Sequence, residues 1–155
     1  MTDREQSELR VSVSHDPNEE CHVTATLTSG AFRGIGRTYL PIGYISEFAS
    51  ATKQLASTST GKAVLRGEYI NQDGSRDYII NLSLLPHGRR GHILLMVELS
   101  SGPPALEAEV RAISRVSTVL IIDPAALDRF ANRLLGISEG SNLEAVVQGE
   151  SAAFD

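Results

Sequence analysis

Apolar and polar residues alternate with a period of two through "ELRVSVSH" (8–15), placing Leu9, Val11 and Val13 on one face. "HVTATLT" (22–28) repeats the pattern with Val23, Ala25 and Leu27. A period of two is that of a half-buried strand. Between the two segments "DPNEE" supplies turn chemistry through Asp-Pro and Asn. "SGAFRGIGRTYLP" carries three glycines within seven residues, which predicts a loop or bulge leading into a strand near 35–40. The period then changes. Tyr44, Ile45, Phe48, Ala49, Thr52, Leu55 and Ala56 fall three and four apart, the stripe of an amphipathic helix, with Glu47, Lys53 and Gln54 opposite.

Alternation returns at "KAVLRGEYI" (62–70) and "DYIINLSLL" (77–85), joined by "NQDGS", whose Asp-Gly is a hairpin signal. "HILLMVELS" (92–100) is an unbroken apolar run and predicts a central strand covered on both faces. "LEAEVRAISRVSTVLII" (106–122) is long for one strand, so a bend or bulge near Ser114 to Ser117 is expected. In "DPAALDRFANRLLGI", Asp123 suits an N-cap and Pro124 the first helical position. Leu127, Phe130, Ala131, Leu134 and Ile137 form the stripe of this second helix. Residues 139–155 are small, polar and acidic. They read as a mobile C-terminal tail with a weak helical turn around 142–147.

These elements predict an α+β domain over residues 1–138. Its sheet is predominantly antiparallel, with about six or seven strands and two amphipathic helices packed on it. The two helices echo one another: Ile45, Phe48, Ala49 and Leu55 repeat the spacing of Leu127, Phe130, Ala131 and Ile137. Any amphipathic helix packed on a sheet has this look, and that reading is preferred to a duplication.

Composition adds bounds rather than chemistry. At 155 residues the chain can bury roughly 70% of the surface its unfolded form exposes. Cys21 is the sole cysteine, which excludes an intrachain disulfide and a four-cysteine zinc site and fits a reducing, cytoplasmic setting. The polar start "MTDREQSELR" lacks the apolar stretch of a secretory signal, and no apolar run is long enough to cross a bilayer. The net charge of −5 is split unevenly, with acidic ends around a mildly basic middle. That balance speaks against general nucleic-acid binding, which needs a concentrated positive surface. It suits an acidic surface that meets a basic partner.

Candidate motifs fail one at a time. "LASTSTGKAVL" contains Gly61-Lys62, but Ala56 and Ala63 occupy the other defining positions of a phosphate loop, and a helix precedes it where a strand should. Gly34 and Gly36 begin a dinucleotide fingerprint that Tyr39 breaks, so they read as turn or bulge glycines. His15, His22, His87 and His92 lack metal-ligand spacing. Cys21 and His22, adjacent on a strand, point to opposite faces and cannot form a nucleophile–base pair. The carboxylate pairs Glu19-Glu20 and Glu107/Glu109 sit at turns or strand starts and read as solvent-facing. No enzyme constellation, cofactor site or metal site emerges.

"GAFRG", "ISEFASATKQL", "TGKAVL", "GHILLMVEL" and "IIDPAALDRFANRLL", spread over residues 30–137, resemble WapI-like bacterial toxin-immunity proteins and related uncharacterised small proteins. The resemblance implies a non-enzymatic protein that binds and blocks a toxin domain. Asp16, Glu19 and Glu20, with the hairpin-tip pair Arg89 and Arg90, are the residues to which such a contact is assigned. The competing readings are a small-ligand or enzymatic domain with a pocket between sheet and helices, and a homo-oligomerising module.

Overall fold

A computed structural model describes residues 6–15, 20–70, 73–88, 91–101, 114–136 and 142–151. Among them are eight strands and two helices: β1 (Gln6–His15), β2 (Glu20–Ser29), β3 (Phe32–Pro41), α1 (Ile42–Thr58), β4 (Ala63–Ile70), β5 (Arg76–His87), β6 (His92–Ser100), β7 (Arg115–Ile122), α2 (Pro124–Leu135) and β8 (Asn142–Ser151). All pairings are antiparallel, in the order β3-β2-β1-β8-β7-β6-β5-β4. The α+β class is as expected, with eight strands in place of six or seven.

The additional strand is β8. Residues 142–151, expected to lie in a mobile tail with a helical turn, run instead through the middle of the sheet against β1. Leu143, Ala145 and Val147 alternate inward, opposite Val13, Val11 and Leu9, and Ala145 and Val147 are fully buried. The first and last described strands are therefore hydrogen-bonded neighbours.

Strand pairing repeats across the chain. β8 lies against β1 as β4 lies against β5: Ala63, Leu65 and Gly67 oppose Leu84, Leu82 and Ile80. Val13, Val11 and Leu9 face Val23, Ala25 and Leu27 as Leu84, Leu82 and Ile80 face Leu95, Val97 and Leu99. Hence β1-β2-β3-α1-β4 and β5-β6-β7-α2-β8 are equivalent β-β-β-α-β units that exchange their last strands. The helix echo belongs to this larger repeat, since Ile45, Phe48 and Ala49 are buried as Leu127, Phe130 and Ala131 are. Two four-stranded sheets result, joined edge to edge through Leu120–Ser151 and Ile121–Glu150.

Their inner faces and the apolar stripes of both helices enclose a single core. Lys53 on α1 reaches Asp128 on α2 at 2.8 Å. Thr52, fully buried, donates its hydroxyl to the Phe48 carbonyl at 2.7 Å, so no polar group is stranded there. Gly61 takes φ +93 in the turn after α1, with Lys62 exposed beside it. That is the role of a permissive turn residue, not of a phosphate cradle. Asp73, in the β4–β5 hairpin, accepts from the Ser75 N–H (2.9 Å) and hydroxyl (2.6 Å), which holds its carboxyl below the usual carboxylate range.

Three expectations are corrected. Gly34 and Gly36 lie within β3, not in a loop or bulge, and their backbone φ is not positive. They are small because β3 crosses the second sheet at close range: Gly34 sits over Val116, Gly36 over Ile79 and Ile80, and Thr38 over Gly67. β6 is interior to its sheet, but only its inner face is covered; on the other, Met96 is 41% exposed. β7 runs from Arg115 in unbroken register with β6, so no bulge interrupts it at Ser117; residues 106–113 of the expected long strand lie outside the described residues.

Helix α2 begins as its sequence predicts, with Asp123 Oδ1 accepting from the Ala125 N–H at 3.3 Å and Pro124 at the first position. Asp123→Ala should cost about 1 kcal/mol. This corresponds to a fall of roughly 2–4 °C in Tm, measurable by thermal circular dichroism.

Candidate functional site

The outer face of β3-β2-β1-β8 is a grid of cross-strand neighbours. One row is Tyr39, His22, Ser14, Asn142 and the next Arg37, Thr24, Ser12, Glu144. Below them run Ile35, Thr26, Arg10, Val146 and then Arg33, Thr28, Glu8, Gln148. The alternation that buries Val23, Ala25 and Leu27 dictates this face, because every intervening residue must point outward. Threonine at the solvent-facing positions of β2 suits the pleated surface.

Charged groups tie the grid together. Arg10 bridges Glu144 at 2.6 Å and Glu8 at 3.5 Å. Glu144 also accepts from the Ser12 hydroxyl at 3.4 Å, and Gln148 donates to Glu8 at 3.5 Å. At the other end the His22 and Tyr39 rings meet at 5.0 Å between centroids, tilted by 46°. Between these clusters lies an open depression of about 470 Å³ whose lining includes Ser12, Ser14, His22, Thr24 and Glu144. Arg133 closes one side from α2, with its Nε donating to the Glu144 carbonyl at 3.0 Å. The ion pairs are individually weak at this exposure, but as a connected set they hold the face in one geometry.

Of the residues assigned to partner contact, Glu20 is exposed at the start of β2, at the His22 end of this grid. Asp16, Glu19, Arg89 and Arg90 lie outside the described residues, as do Glu107 and Glu109. Cys21 and His22 do point to opposite faces: Cys21 is buried in the core and His22 lies on the grid. The histidine opposite Cys21 is His15, whose two ring nitrogens are buried without a hydrogen-bond partner. A thiol so fully withdrawn from solvent offers a substrate no approach. His87 and His92 are register partners at the ends of β5 and β6. Among the described residues no group of three or more His, Cys, Asp or Glu could hold a metal ion, and no helix is long and apolar enough to cross a membrane.

Two further depressions bear on the pocket reading. One of about 370 Å³ lies between α1 and β4, lined by Tyr44, Glu47, Arg66 and Glu68 among others. Two of its charged groups are engaged at the surface: Glu68 with Arg76 at 3.4 Å, and Arg66 with Asn81 at 3.1 Å and over the Tyr78 ring. The other, about 340 Å³, lies where β3 crosses β7 and includes Arg33 and Arg115. Asp77 holds Arg115 at 2.6 Å and raises its guanidinium pKa. The Tyr69 hydroxyl lies near enough to add to that hold but makes no well-formed hydrogen bond.

Sequence reasoning missed Arg10, Arg37, Tyr39 and Glu144 as parts of one surface. The outward positions were legible strand by strand; which strands would neighbour one another was not. Comparison with protein-family models, curated proteins and solved structures finds no match to this chain.

Proposed function

We propose that the chain is a non-catalytic binding protein of the toxin-immunity type, which occludes a toxin domain with the outer face of β3-β2-β1-β8. The observation that carries this reading is the cross-linked grid itself. Arg10, Glu8, Glu144, Ser12 and Gln148 are already tied to one another, so a partner meets a polar surface that needs less ordering on binding. Arg33 and Arg37 on β3, Glu8 and Glu144 on β1 and β8, and Glu20 at the start of β2 give the face both signs of charge. Such a pattern sets specificity and on-rate. The class of partner comes from the sequence resemblance alone.

The test is isothermal titration of the purified chain against any toxin domain that the neighbouring genes encode, followed by Arg37→Glu and Thr24→Lys on the grid. The expected result is tight binding that each substitution weakens by roughly 10-fold or more, as for hot-spot residues in a packed interface. Binding that neither variant changes would move the contact off this face, and no binding at all would remove the immunity reading.

A further inference from the structure

The two repeated units meet at equivalent residues. Gly34 on β3 faces Leu27 as Val116 on β7 faces Leu99, so the two hold the same place in their units. They also touch one another, since a Cβ at Gly34 would overlap the Val116 side chain. The local two-fold axis relating the units therefore runs through this crossing. Arg33 and Arg115, one residue earlier in each strand, are equivalent too, and both line the depression of about 340 Å³ at the crossing. Ile35, Leu99 and Val116 give it apolar walls. Its rim is fixed, because the Ser101 N–H donates to the Ser114 carbonyl at 2.9 Å and the Ser114 N–H to the Ser101 hydroxyl at 3.2 Å.

Charge sets this depression apart from the other two. Among the described residues its lining holds two arginines and no acid. The depression on the polar grid holds Arg133 and Glu144, and the one beside α1 holds Arg66, Glu47 and Glu68. In a chain of net charge −5, positive charge is thus gathered at one partly apolar hollow. Asp77 fixes the Arg115 side chain at 2.6 Å, whereas Arg33 makes no hydrogen bond or ion pair among the described residues. An unengaged guanidinium offers parallel N–H donors that match the oxygens of a carboxylate or phosphate. Apolar walls with a few converging polar groups are the usual form of a small-molecule site.

We infer that this crossing binds a small organic anion, its carboxylate or phosphate head on Arg33 beside Arg115 and its short apolar body against Ile35 and Val116. At ~30 Å³ for each non-hydrogen atom, the depression takes on the order of ten of them. Each unit supplies one arginine and one wall, so neither makes the site alone. The inference does not depend on the polar face or on any toxin partner.

Titration of the full ¹⁵N-labelled chain with hexanoate and with hexyl phosphate, followed by amide chemical shifts, tests it. At least one should saturate with a Kd of roughly 0.1–1 mM and move the amides of Gly34, Ile35, Arg115 and Val116, the tighter of the two naming the head group. Acetate and 1-hexanol, which supply head and body separately, should each bind at least ~10-fold more weakly. Arg33→Gln should weaken the anion by ~10-fold and leave 1-hexanol unchanged, and Arg33→Lys should recover part of the loss. Arg33 is exposed, so both variants are expected to fold, which far-UV circular dichroism checks. Arg37→Gln, equally exposed on the same strand, should change nothing and so excludes a net-charge effect. Absence of any saturable shift up to about 20 mM overturns the inference, as does 1-hexanol binding as tightly as the anions. A folded Arg33→Gln chain that binds like the wild type, or shifts confined to another part of the molecule, overturns it equally.

Discussion

Phe130→Ala is expected to lower Tm by roughly 10–15 °C. The side chain lies fully inside the core at the centre of the α2 stripe, between Leu127 and Leu134. Truncating a buried phenylalanine typically costs about 3–5 kcal/mol, the transfer term plus the cavity left behind. At this chain length each kcal/mol corresponds to about 2–4 °C. Phe48 is the counterpart on α1, three residues after Ile45 as Phe130 is three after Leu127. Phe48→Ala should cost a similar amount. Urea denaturation checks both: the midpoint should fall with little change in slope. A loss below about 1 kcal/mol would mean that α2 is not the lid of the core that the geometry shows. Because both rings belong to one cluster, the double variant is expected to depart from the sum of the two single effects.

How much of this was legible in the sequence follows from the range over which each signal acts. Period-two runs in β1, β2, β4 and β5 and the three-four spacing in α1 and α2 are local, and the structure matches them to within a few residues. The cap at Asp123 and the Asp-Gly hairpin are local too. β8 escaped because its case is non-local. Leu143, Ala145 and Val147 do alternate, but Asn142, Glu144, Ala145 and Gly149 are weak strand formers. What holds them extended is β1, whose residues lie some 130 positions earlier in the chain. The polar grid was half legible for the same reason. Ser12, Ser14, Thr24 and Thr26 announce an outward face, but Arg10 and Glu144 become partners only when β8 is seated. The apolar run of β6 was read as burial on both sides, whereas the fold leaves one side open. A run of apolar residues without alternation carries no period-two signal to tell the inner face of the strand from the outer one.

The glycines of β3 supply the second large effect. A Cβ at Gly36 would stand 2.5 Å from the Ile79 carbonyl oxygen and 3.1 Å from Ile80 Cγ1. The first of these is backbone, at the bulge residue that β5 inserts opposite the Gly67–Glu68 step of β4, so relief takes a main-chain shift and not the rotation of a side-chain end. Gly36→Ala therefore forces β3 off the second sheet, where Leu82, Leu84, Val97 and Leu99 fill the inner face. Overpacking of this kind costs about 1–3 kcal/mol, occasionally more. We expect the upper end, a fall of roughly 6–12 °C in Tm. Gly43 provides the opposing case within the same chain. It lies in α1 with nothing within 4 Å of its added methyl, so Gly43→Ala should raise stability by about 0.5–1 kcal/mol. Thermal melts of the two variants should move in opposite directions for a chemically identical change. If Gly36→Ala were as well tolerated as Gly43→Ala, the close crossing of β3 over β5 would be wrong. The two sheets would then have to be held together by their apolar contacts and the short β7–β8 pairing alone.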